Sequence, residues 1–339
     1  MVPMADAHKL ELPASYRERL PHSWRGWLEQ VPDQVASCVE RWELTIAGEL
    51  PLSHSYVVAV ERADGRPCVL KLQPTEVPEL PGPAREVLGL RLAGPVAVEV
   101  VEEDVASGAL LLERALPGTT LGPLAAQDDD AATTSLATVI RAYGRRIDTG
   151  SLGLCPFEEL AEAFERFDRN PHGGIARRKA AATAGSRLSI VLGVDELGTA
   201  VEAVRSARHT AERVLAELAA DHGEPHLLHG DLHHGNVLDD ERRGPLVIDP
   251  WGLYGDRAAD VAPALHNPLE IVTGAADVDA LIRRRLAIYA EILEIDLERL
   301  TAWCYVYVAI RALWAIESNA ELPDDDARVR TVTALRRLI

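Results

Sequence analysis

A short polar segment in the second half of the chain contains the residue types that phosphoryl transfer requires. Residues 229–236 read H-G-D-L-H-H-G-N, and Asp249 follows Asn236 after 13 positions. Transfer from a nucleotide needs a carboxylate beside the attacking hydroxyl and oxygen ligands for the Mg2+ that bridges the phosphates. Asp231 is the candidate for the carboxylate, and Asn236 and Asp249 are the candidate metal ligands.

The spacing of these residues predicts how they meet. Residues 236–238 and 246–248 flank a polar turn, and this pattern predicts a small hairpin. A tight hairpin returns Asp249 to the neighbourhood of Asn236, so that both can hold one ion. Asp231 would then orient the acceptor hydroxyl for in-line attack and take its proton late.

The first half of the chain offers the cation that a kinase places over the α and β phosphates, and the acid that holds this cation. Lys71 lies in a predicted strand, and Glu86 lies near the start of a predicted helix over residues 84–92. Three antiparallel strands are expected before that helix, because three segments are rich in β-formers: 42–46, 56–60 and 68–72. Lys71 and Glu86 are therefore the candidate pair.

These motifs resemble the aminoglycoside phosphotransferase family, which keeps H-G-D-x-x-x-x-N where protein kinases have H-R-D-x-x-x-x-N. Residues 247–262 read V-I-D-P-W-G-L-Y-G-D-R-A-A-D-V-A and are similar to the streptomycin and hydroxyurea kinase branch. The metal aspartate stands in I-D-P here, where protein kinases have D-F-G. R-L-T-A-W at 299–303 and A-L-W-A-I-E at 312–317 are similar to the C-terminal helices of the branch. The resemblance spans about residues 40 to 318.

The resemblance implies an α+β, bilobal, protein-kinase-like fold. A small antiparallel-β N-lobe with one main helix would precede a larger, mainly helical C-lobe, and the helical periodicity after residue 116 agrees with this order. Further strands are expected at 96–101 and 109–112. The expected divisions are an N-terminal helical extension, the nucleotide-binding N-lobe and the C-lobe, at residues 1–40, 41–116 and 117–339.

Two other segments are candidates for contacts with the nucleotide. The turn after the first strand contains Ser53 and Ser55, whose hydroxyls and neighbouring backbone N–H groups could face the phosphates. A plain hairpin turn is an equally good interpretation. Residues 111–118 fit the hinge at which adenine bonds to backbone, with Glu113 and Ala115 as contacts. An ordinary strand end is the alternative there.

The remaining candidates surround the H-G-D segment. His229 is expected to brace the loop through backbone hydrogen bonds, and His233 and His234 to line the site entrance as candidate substrate contacts. From the residues alone, Asp260 is interpreted as a helix N-cap. The resemblance also indicates a structural role and implies a carboxylate bonded to the backbone of the loop. It leaves Asp256 open between support and substrate contact.

Composition restricts the partners. Lys and Arg number 35 against 53 Asp and Glu, and the formal net charge of −18 disfavours nucleic acid and anionic membranes. Such acidity favours a cationic small molecule, or it serves solubility alone. The four cysteines form no C-x-x-C pair and are expected to be reduced and buried. With no signal peptide visible, a cytoplasmic location is expected.

The leading hypothesis is an O-phosphotransferase that uses ATP and Mg2+ on a streptomycin-like aminoglycoside and so confers antibiotic resistance. A kinase of hydroxyurea or of an endogenous sugar, amino sugar or other metabolite is the alternative, because the fold does not specify the acceptor. A nucleotide-binding regulator without turnover comes third. No P-loop, dinucleotide-binding motif or G-x-S-x-G motif is present. The helices that bind the acceptor are expected between about residues 150 and 200 and after residue 260, and the sequence assigns no pocket residues to them. It does not decide between ATP and GTP, or between a monomer and a homodimer.

Overall fold

The chain divides into two compact units in a computed structural model that describes residues 11–75, 82–148, 153–169, 199–220, 223–318 and 323–339. The first unit comprises Met1–Thr119 and Leu238–Gly252, and the second comprises Thr120–Val237 and Leu253–Ile339. The contacts of residues 238–252 thus place them with the first unit, although the sequence assigned them to the helical lobe. Much of the predicted acceptor region, residues 170–198, lies outside the described residues.

A five-stranded antiparallel sheet with strand order β1-β2-β3-β5-β4 forms the first unit. Its strands are β1 (Leu44–Glu49), β2 (Tyr56–Arg62), β3 (Pro67–Leu72), β4 (Val100–Asp104) and β5 (Ala109–Glu113). The prediction of three antiparallel strands followed by two more is confirmed. The fourth begins later than predicted because residues 94–96, which contain a proline, form a 3-10 turn.

Helices cover this sheet. The helices of the first unit are α1 (Ala14–Arg19), α2 (Arg25–Arg41) and α3 (Pro83–Ala93). Side chains of α1 and α2 share one apolar core with alternate residues of β2 and β3, namely Tyr56, Val58, Val60, Cys68, Leu70 and Leu72. Because side chains alternate across a strand, Lys71 lies on the other face of the sheet from this core. The N-terminal helices and the predicted cation thus use opposite faces.

Short strands complete two smaller sheets. They are β6 (Pro117–Thr120), β7 (Cys155–Pro156), β8 (His226–Leu228), β9 (Val237–Asp240), β10 (Leu246–Val247) and β11 (Leu253–Gly255). The predicted hairpin is confirmed as β9 and β10, which join β6 in the order β10-β9-β6. In the second unit, β11 pairs with both β7 and β8. The H-G-D segment therefore follows directly from the strand β8.

The second unit is mainly helical. Its helices are α4 (Gly122–Gln127), α5 (Asp129–Tyr143), α6 (Glu162–Arg169), α7 (Thr199–Ala219), α8 (Ala262–Leu265), α9 (Leu269–Gly274), α10 (Val278–Leu293), α11 (Leu297–Ser318) and α12 (Ala327–Arg336). Among the described residues, α11 alone is long and apolar enough to cross a membrane, and 78% of its apolar window is buried inside the protein. Such burial is typical of a core helix. The four cysteines are free and buried, as expected.

Arg285 on α10 holds the second unit together from inside. Its side chain is fully buried, pairs with Asp129 and donates to three carbonyls at and just after the end of α8, those of Ala264, Leu265 and Asn267. We expect Arg285→Ala to lower the free energy of unfolding by about 3 to 5 kcal/mol, because it removes the buried partner of Asp129 and leaves three carbonyls without their donor. Urea denaturation measures this loss. The exposed Arg283→Ala on the same helix is the control, and equal stability of the two variants would contradict the prediction.

Candidate active site

Lys71 and Glu86 form a buried ion pair in the first unit. The Lys71 Nζ lies 2.8 and 2.7 Å from the two Glu86 carboxylate oxygens, and Gln73 Nε2 donates to Glu86 at 3.0 Å. Both members of the pair are less than 5% exposed. Burial by itself lowers the pKa of Lys71, but the carboxylates of Asp249 and Glu86 raise it above its ordinary value. Burial raises the pKa of Glu86 against the opposing effect of Lys71; the short contacts favour an ionised pair.

Asp249 joins this pair from the far end of the hairpin. Its Oδ1 lies 2.9 Å from Lys71 Nζ, and its side chain is 39% exposed. The backbone of Asp249 has φ +60°, a left-handed conformation that non-glycine residues rarely adopt and that concentrates at functional sites. Gly252 follows with φ +63°, and a Cβ there would lie 2.5 Å from the Arg85 carbonyl oxygen. The loop of Asp249 is therefore packed directly onto the helix of Glu86.

Ser53 and Ser55 lie in the connection between β1 and β2. The Ser53 side chain is exposed and Ser55 is 8% exposed. Residues 50–55 belong to no strand, so this segment forms an irregular turn at the edge of the sheet. Its length leaves several backbone N–H groups outside the ladder of the sheet.

Glu113 and Ala115 lie at the end of β5. The Glu113 backbone N–H donates to the Glu99 carbonyl, and its 7% exposed carboxylate pairs with Arg242 and Arg243. This carboxylate is therefore committed to holding the β9–β10 hairpin against the sheet. The predicted contact with a base therefore falls to backbone groups of Glu113 and Ala115.

In the second unit, Asp231 and Asn236 share the segment after β8. Asn236 Nδ2 donates to the Asp231 carbonyl at 2.9 Å, and its backbone N–H donates to the His233 carbonyl at 2.9 Å. Because the amide nitrogen is engaged, the amide oxygen is the end of Asn236 that remains for a metal ion. An amide oxygen and a carboxylate are the donors that Mg2+ prefers, so the chemistry of Asn236 and Asp249 fits that ion.

The Asp231 carboxylate is ionised and faces Arg311 and His233 of its own unit. Arg311 Nη2 lies 3.3 Å from Oδ1, outside hydrogen-bond geometry, and His233 Nε2 lies 4.0 Å from Oδ2. Burial alone raises the pKa of Asp231, but Arg311, with smaller effects from His233, His229 and His266, lowers it below its ordinary value. Oδ1 accepts no hydrogen bond from the described residues. This charged oxygen can therefore accept a hydrogen bond from a substrate hydroxyl.

Asp260 supports the loop at residues 229–236 through hydrogen bonds to its backbone. Its two carboxylate oxygens accept the backbone N–H groups of His229 and Gly230 at 2.9 and 2.8 Å. The N-cap interpretation of Asp260 is wrong, because the cap of the turn at 257–261 is Asp256, which accepts from the Ala258 N–H. A helix-cap pattern involves neighbouring residues only, so it gives no information about a hydrogen-bond partner 31 residues away.

His229 and Asp256 also make structural contacts. The Nδ1 of the fully buried His229 accepts the Asp231 backbone N–H at 3.1 Å, which orients the ring and the loop. The second carboxylate oxygen of Asp256 pairs with Arg299 at 2.6 Å. Since both Asp256 oxygens are engaged within the unit, these contacts support the structural alternative for Asp256 over contact with substrate.

The titration of Asp260 gives a pH-dependent prediction. Burial raises the pKa of Asp260 to about 6, whereas a carboxyl in the unfolded chain titrates near about 3.9. Between these values the folded protein holds a proton that the unfolded chain has lost, so this contribution to stability is full below about pH 4 and declines up to about pH 6. The difference in unfolding free energy between wild type and Asp260→Asn should fall by about 1.4 kcal/mol per pH unit in this window. Denaturation at several pH values tests this, and a constant difference would contradict it.

The two predicted entrance histidines differ. His233 Nδ1 accepts the Gly235 N–H at 3.0 Å, and this bond turns its other nitrogen toward Asp231. His234 is only 1% exposed, and burial, with Arg285 nearby, lowers its pKa to about 3. His234 is thus a neutral interior group, and the prediction that it lines the site entrance is wrong.

Sequence reasoning missed Arg311 and Tyr307 on α11. The Tyr307 hydroxyl donates to the Gly230 carbonyl, and the Arg311 guanidinium lies 5.5 Å from the centre of the Trp314 ring while it faces Asp231. The available signal was the one charged residue, Arg311, inside the otherwise apolar run 302–316 of this helix. A charged group in such a run is costly to bury unless it is paired, and its partner here is Asp231.

Comparison with known proteins agrees with this geometry. The sequence model of the aminoglycoside/hydroxyurea antibiotic resistance kinase family matches residues 41–319. A streptomycin 6-kinase of Streptomyces glaucescens is 32% identical over 98% of this chain and 99% of that enzyme. A hydroxyurea phosphotransferase of Kitasatospora aureofaciens is 32% identical over 91% of this chain and 80% of that enzyme. Choline kinase LicA of Streptococcus pneumoniae, 15% identical, superposes with a TM-score of 0.59 over 92% of this chain and 99% of its own.

The fold and the two groups of polar residues define a small-molecule kinase with a protein-kinase-like fold, which confirms the fold predicted from the sequence. Within that class the match over most of the chain is more specific. The chain belongs to the aminoglycoside/hydroxyurea antibiotic resistance kinase family.

Proposed function

We propose that this kinase transfers the γ-phosphate of ATP to a hydroxyl of a streptomycin-like aminoglycoside and thereby confers resistance. The observation that carries this proposal is the 32% identity to streptomycin 6-kinase over nearly the full length of both chains. A phosphate ester places two negative charges on a group that was neutral, which changes how a cationic antibiotic binds its target. The net charge of −18 favours the approach of such a cationic substrate.

In the first unit, we assign Lys71 to the nucleotide phosphates, with Glu86 holding its ammonium group. The buried contacts of 2.7 to 2.9 Å support this role, because they keep the cation in one position without water. Backbone groups near Glu113 and Ala115 would bind the base. The turn that contains Ser53 and Ser55 would cover the phosphates.

In the second unit, Asp231 would accept a hydrogen bond from the acceptor hydroxyl, orient it and take its proton. Asn236 and Asp249 would hold Mg2+, which supplies positive charge to the phosphate oxygens when it is bound. His229 and Asp260 would keep the loop in shape. His233 is the member of the predicted substrate group that still faces Asp231.

We further propose that residues 41–116, with 238–252 added, serve nucleotide binding, and that 117–339 otherwise supply the catalytic loop and the acceptor site. The extension predicted at residues 1–40 would contribute the helices α1 and α2 to the first unit. The enzyme would act in the cytoplasm, where ATP is available.

An acceptor screen tests the proposed substrate. Purified protein with ATP and Mg2+ should release ADP with streptomycin at a rate well above the rate without acceptor, and sugars should give no increase. Turnover with sugars or amino alcohols but not with streptomycin would overturn the proposed acceptor and leave the kinase assignment intact.

Hydroxyurea is the second candidate acceptor, since the hydroxyurea phosphotransferase is equally identical to this chain at 32%. It is small, uncharged and carries an N-hydroxyl group. The same screen distinguishes it, because a hydroxyurea kinase should release ADP with hydroxyurea and not with streptomycin, whereas a streptomycin kinase should do the reverse.

A further inference from the structure

The N-terminal extension contacts the turn proposed to cover the phosphates. Arg19 Nη2 donates to the carbonyl of Leu52 at 2.6 Å and to that of Ser53 at 3.3 Å. The hydroxyl of Tyr16, one turn earlier on α1, donates to the carbonyl of His54 at 3.3 Å. Three successive carbonyls of the turn are therefore bound by two side chains of one short helix.

The helix that makes these contacts is itself fixed. Tyr16 is 2% exposed and belongs to the same apolar core as β2 and β3, with Leu12, Leu20 and Trp24. The Arg19 guanidinium lies 5.8 Å from the centre of the Tyr16 ring, and the Trp24 ring lies 6.3 Å from that of His54. The helix that supplies the two donors is thus packed on the sheet of the first unit.

Because the peptide group is planar, these hydrogen bonds also fix the direction of the N–H groups in the turn. In a planar trans peptide, the N–H of one residue points opposite to the carbonyl of the preceding residue. Carbonyls 52, 53 and 54 are directed at α1, so the N–H groups of Ser53, His54 and Ser55 point away from α1. Those N–H groups are the donors that a turn needs to bind phosphate oxygens.

We propose that Arg19 and Tyr16 are positioning residues that orient the turn at residues 52–55 for binding the ATP phosphates. The inference rests on the proposed nucleotide role of that turn. Arg19 and Tyr16 lie outside the segment 41–319 that the family model matches, whereas the turn that they contact lies inside it.

Nucleotide binding without an acceptor tests the proposal by calorimetry. Arg19→Ala should weaken Mg-ATP binding about 5- to 10-fold, since one charge-assisted donor to two carbonyls is lost. Binding of adenosine, which has no phosphate, should be unchanged. Arg19→Lys should recover part of the affinity, and Tyr16→Phe should show a smaller loss of the same kind.

Arg17→Ala is the matched control, because Arg17 lies exposed on the same helix, and it should bind Mg-ATP as wild type does. Wild-type affinity for Mg-ATP in Arg19→Ala would overturn the inference, as would an equal loss of adenosine binding, which signals general damage to the unit. Failure of the wild-type protein itself to bind Mg-ATP would overturn the proposed function as well.

Discussion

Asp231→Asn is expected to lower kcat about 1,000-fold with the acceptor that the wild type uses, while the affinity for Mg-ATP changes less than about twofold. The amide keeps the size of the carboxylate but cannot accept the proton of the attacking hydroxyl. The loop itself should remain in place, because its backbone is held by Asp260, by His229 and by the Tyr307 hydroxyl. Steady-state ADP release and calorimetric titration with Mg-ATP measure the two quantities separately.

The matched control for this change is Asp239→Asn. Asp239 lies in β9, three positions after Asn236, and its side chain is exposed. We expect its kcat to equal that of wild type. An Asp231→Asn enzyme with more than a tenth of wild-type kcat would show that Asp231 is not the acceptor of the proton.

Lys71→Met is expected to reduce kcat/KM for ATP by at least about 100-fold, because a preorganised cation on the phosphates is removed. It should also lower the free energy of unfolding by about 3 to 5 kcal/mol, since Glu86 is then buried without its counter-ion. Lys71→Arg should also be poorly active, because a guanidinium does not fit where a compact ammonium contacts both Glu86 and Asp249. Urea denaturation and steady-state kinetics test the two effects.

A double variant separates stability from activity. Lys71→Met combined with Glu86→Gln removes both charges, so we expect it to recover most of the lost stability and none of the lost activity. Recovery of activity in the double variant would show that Lys71 acts only as a structural partner of Glu86. Unchanged kinetics in Lys71→Met alone would remove Lys71 from the nucleotide site.

The local sequence pattern was sufficient to predict the strands of the first unit and the Lys71–Glu86 pair. Strands with period-two alternation and a helix with one apolar side are defined by neighbouring residues, and the chemistry then requires that a lysine and an acid on them meet. The hairpin that leads to Asp249 was predicted for the same reason, because its turn residues are contiguous. The left-handed backbone of Asp249 gave no such signal, since aspartate adopts it only where the surrounding fold enforces it.

Contacts between distant segments account for what was missed. Asp260 and the loop that it supports are about 30 residues apart, and Arg311 is 80 residues from Asp231 in the sequence. Nothing in the neighbourhood of either residue specifies those partners. His234 was misplaced because a histidine beside a functional loop looks the same in sequence whether its ring is buried or exposed. The contacts of Arg19 with the Leu52 and Ser53 carbonyls likewise join segments more than 30 positions apart.

The most direct test of the account is the chemical identity of the product. The protein should be incubated with ATP, Mg2+ and streptomycin, and the acceptor then analysed by mass spectrometry and phosphorus NMR. We predict an acceptor that has gained one phosphate as an ester of a hydroxyl, and no such product with Asp231→Asn. Absence of any phosphorylated acceptor with streptomycin, hydroxyurea and the sugar panel, or a phosphate bound to an amine nitrogen, would contradict the account.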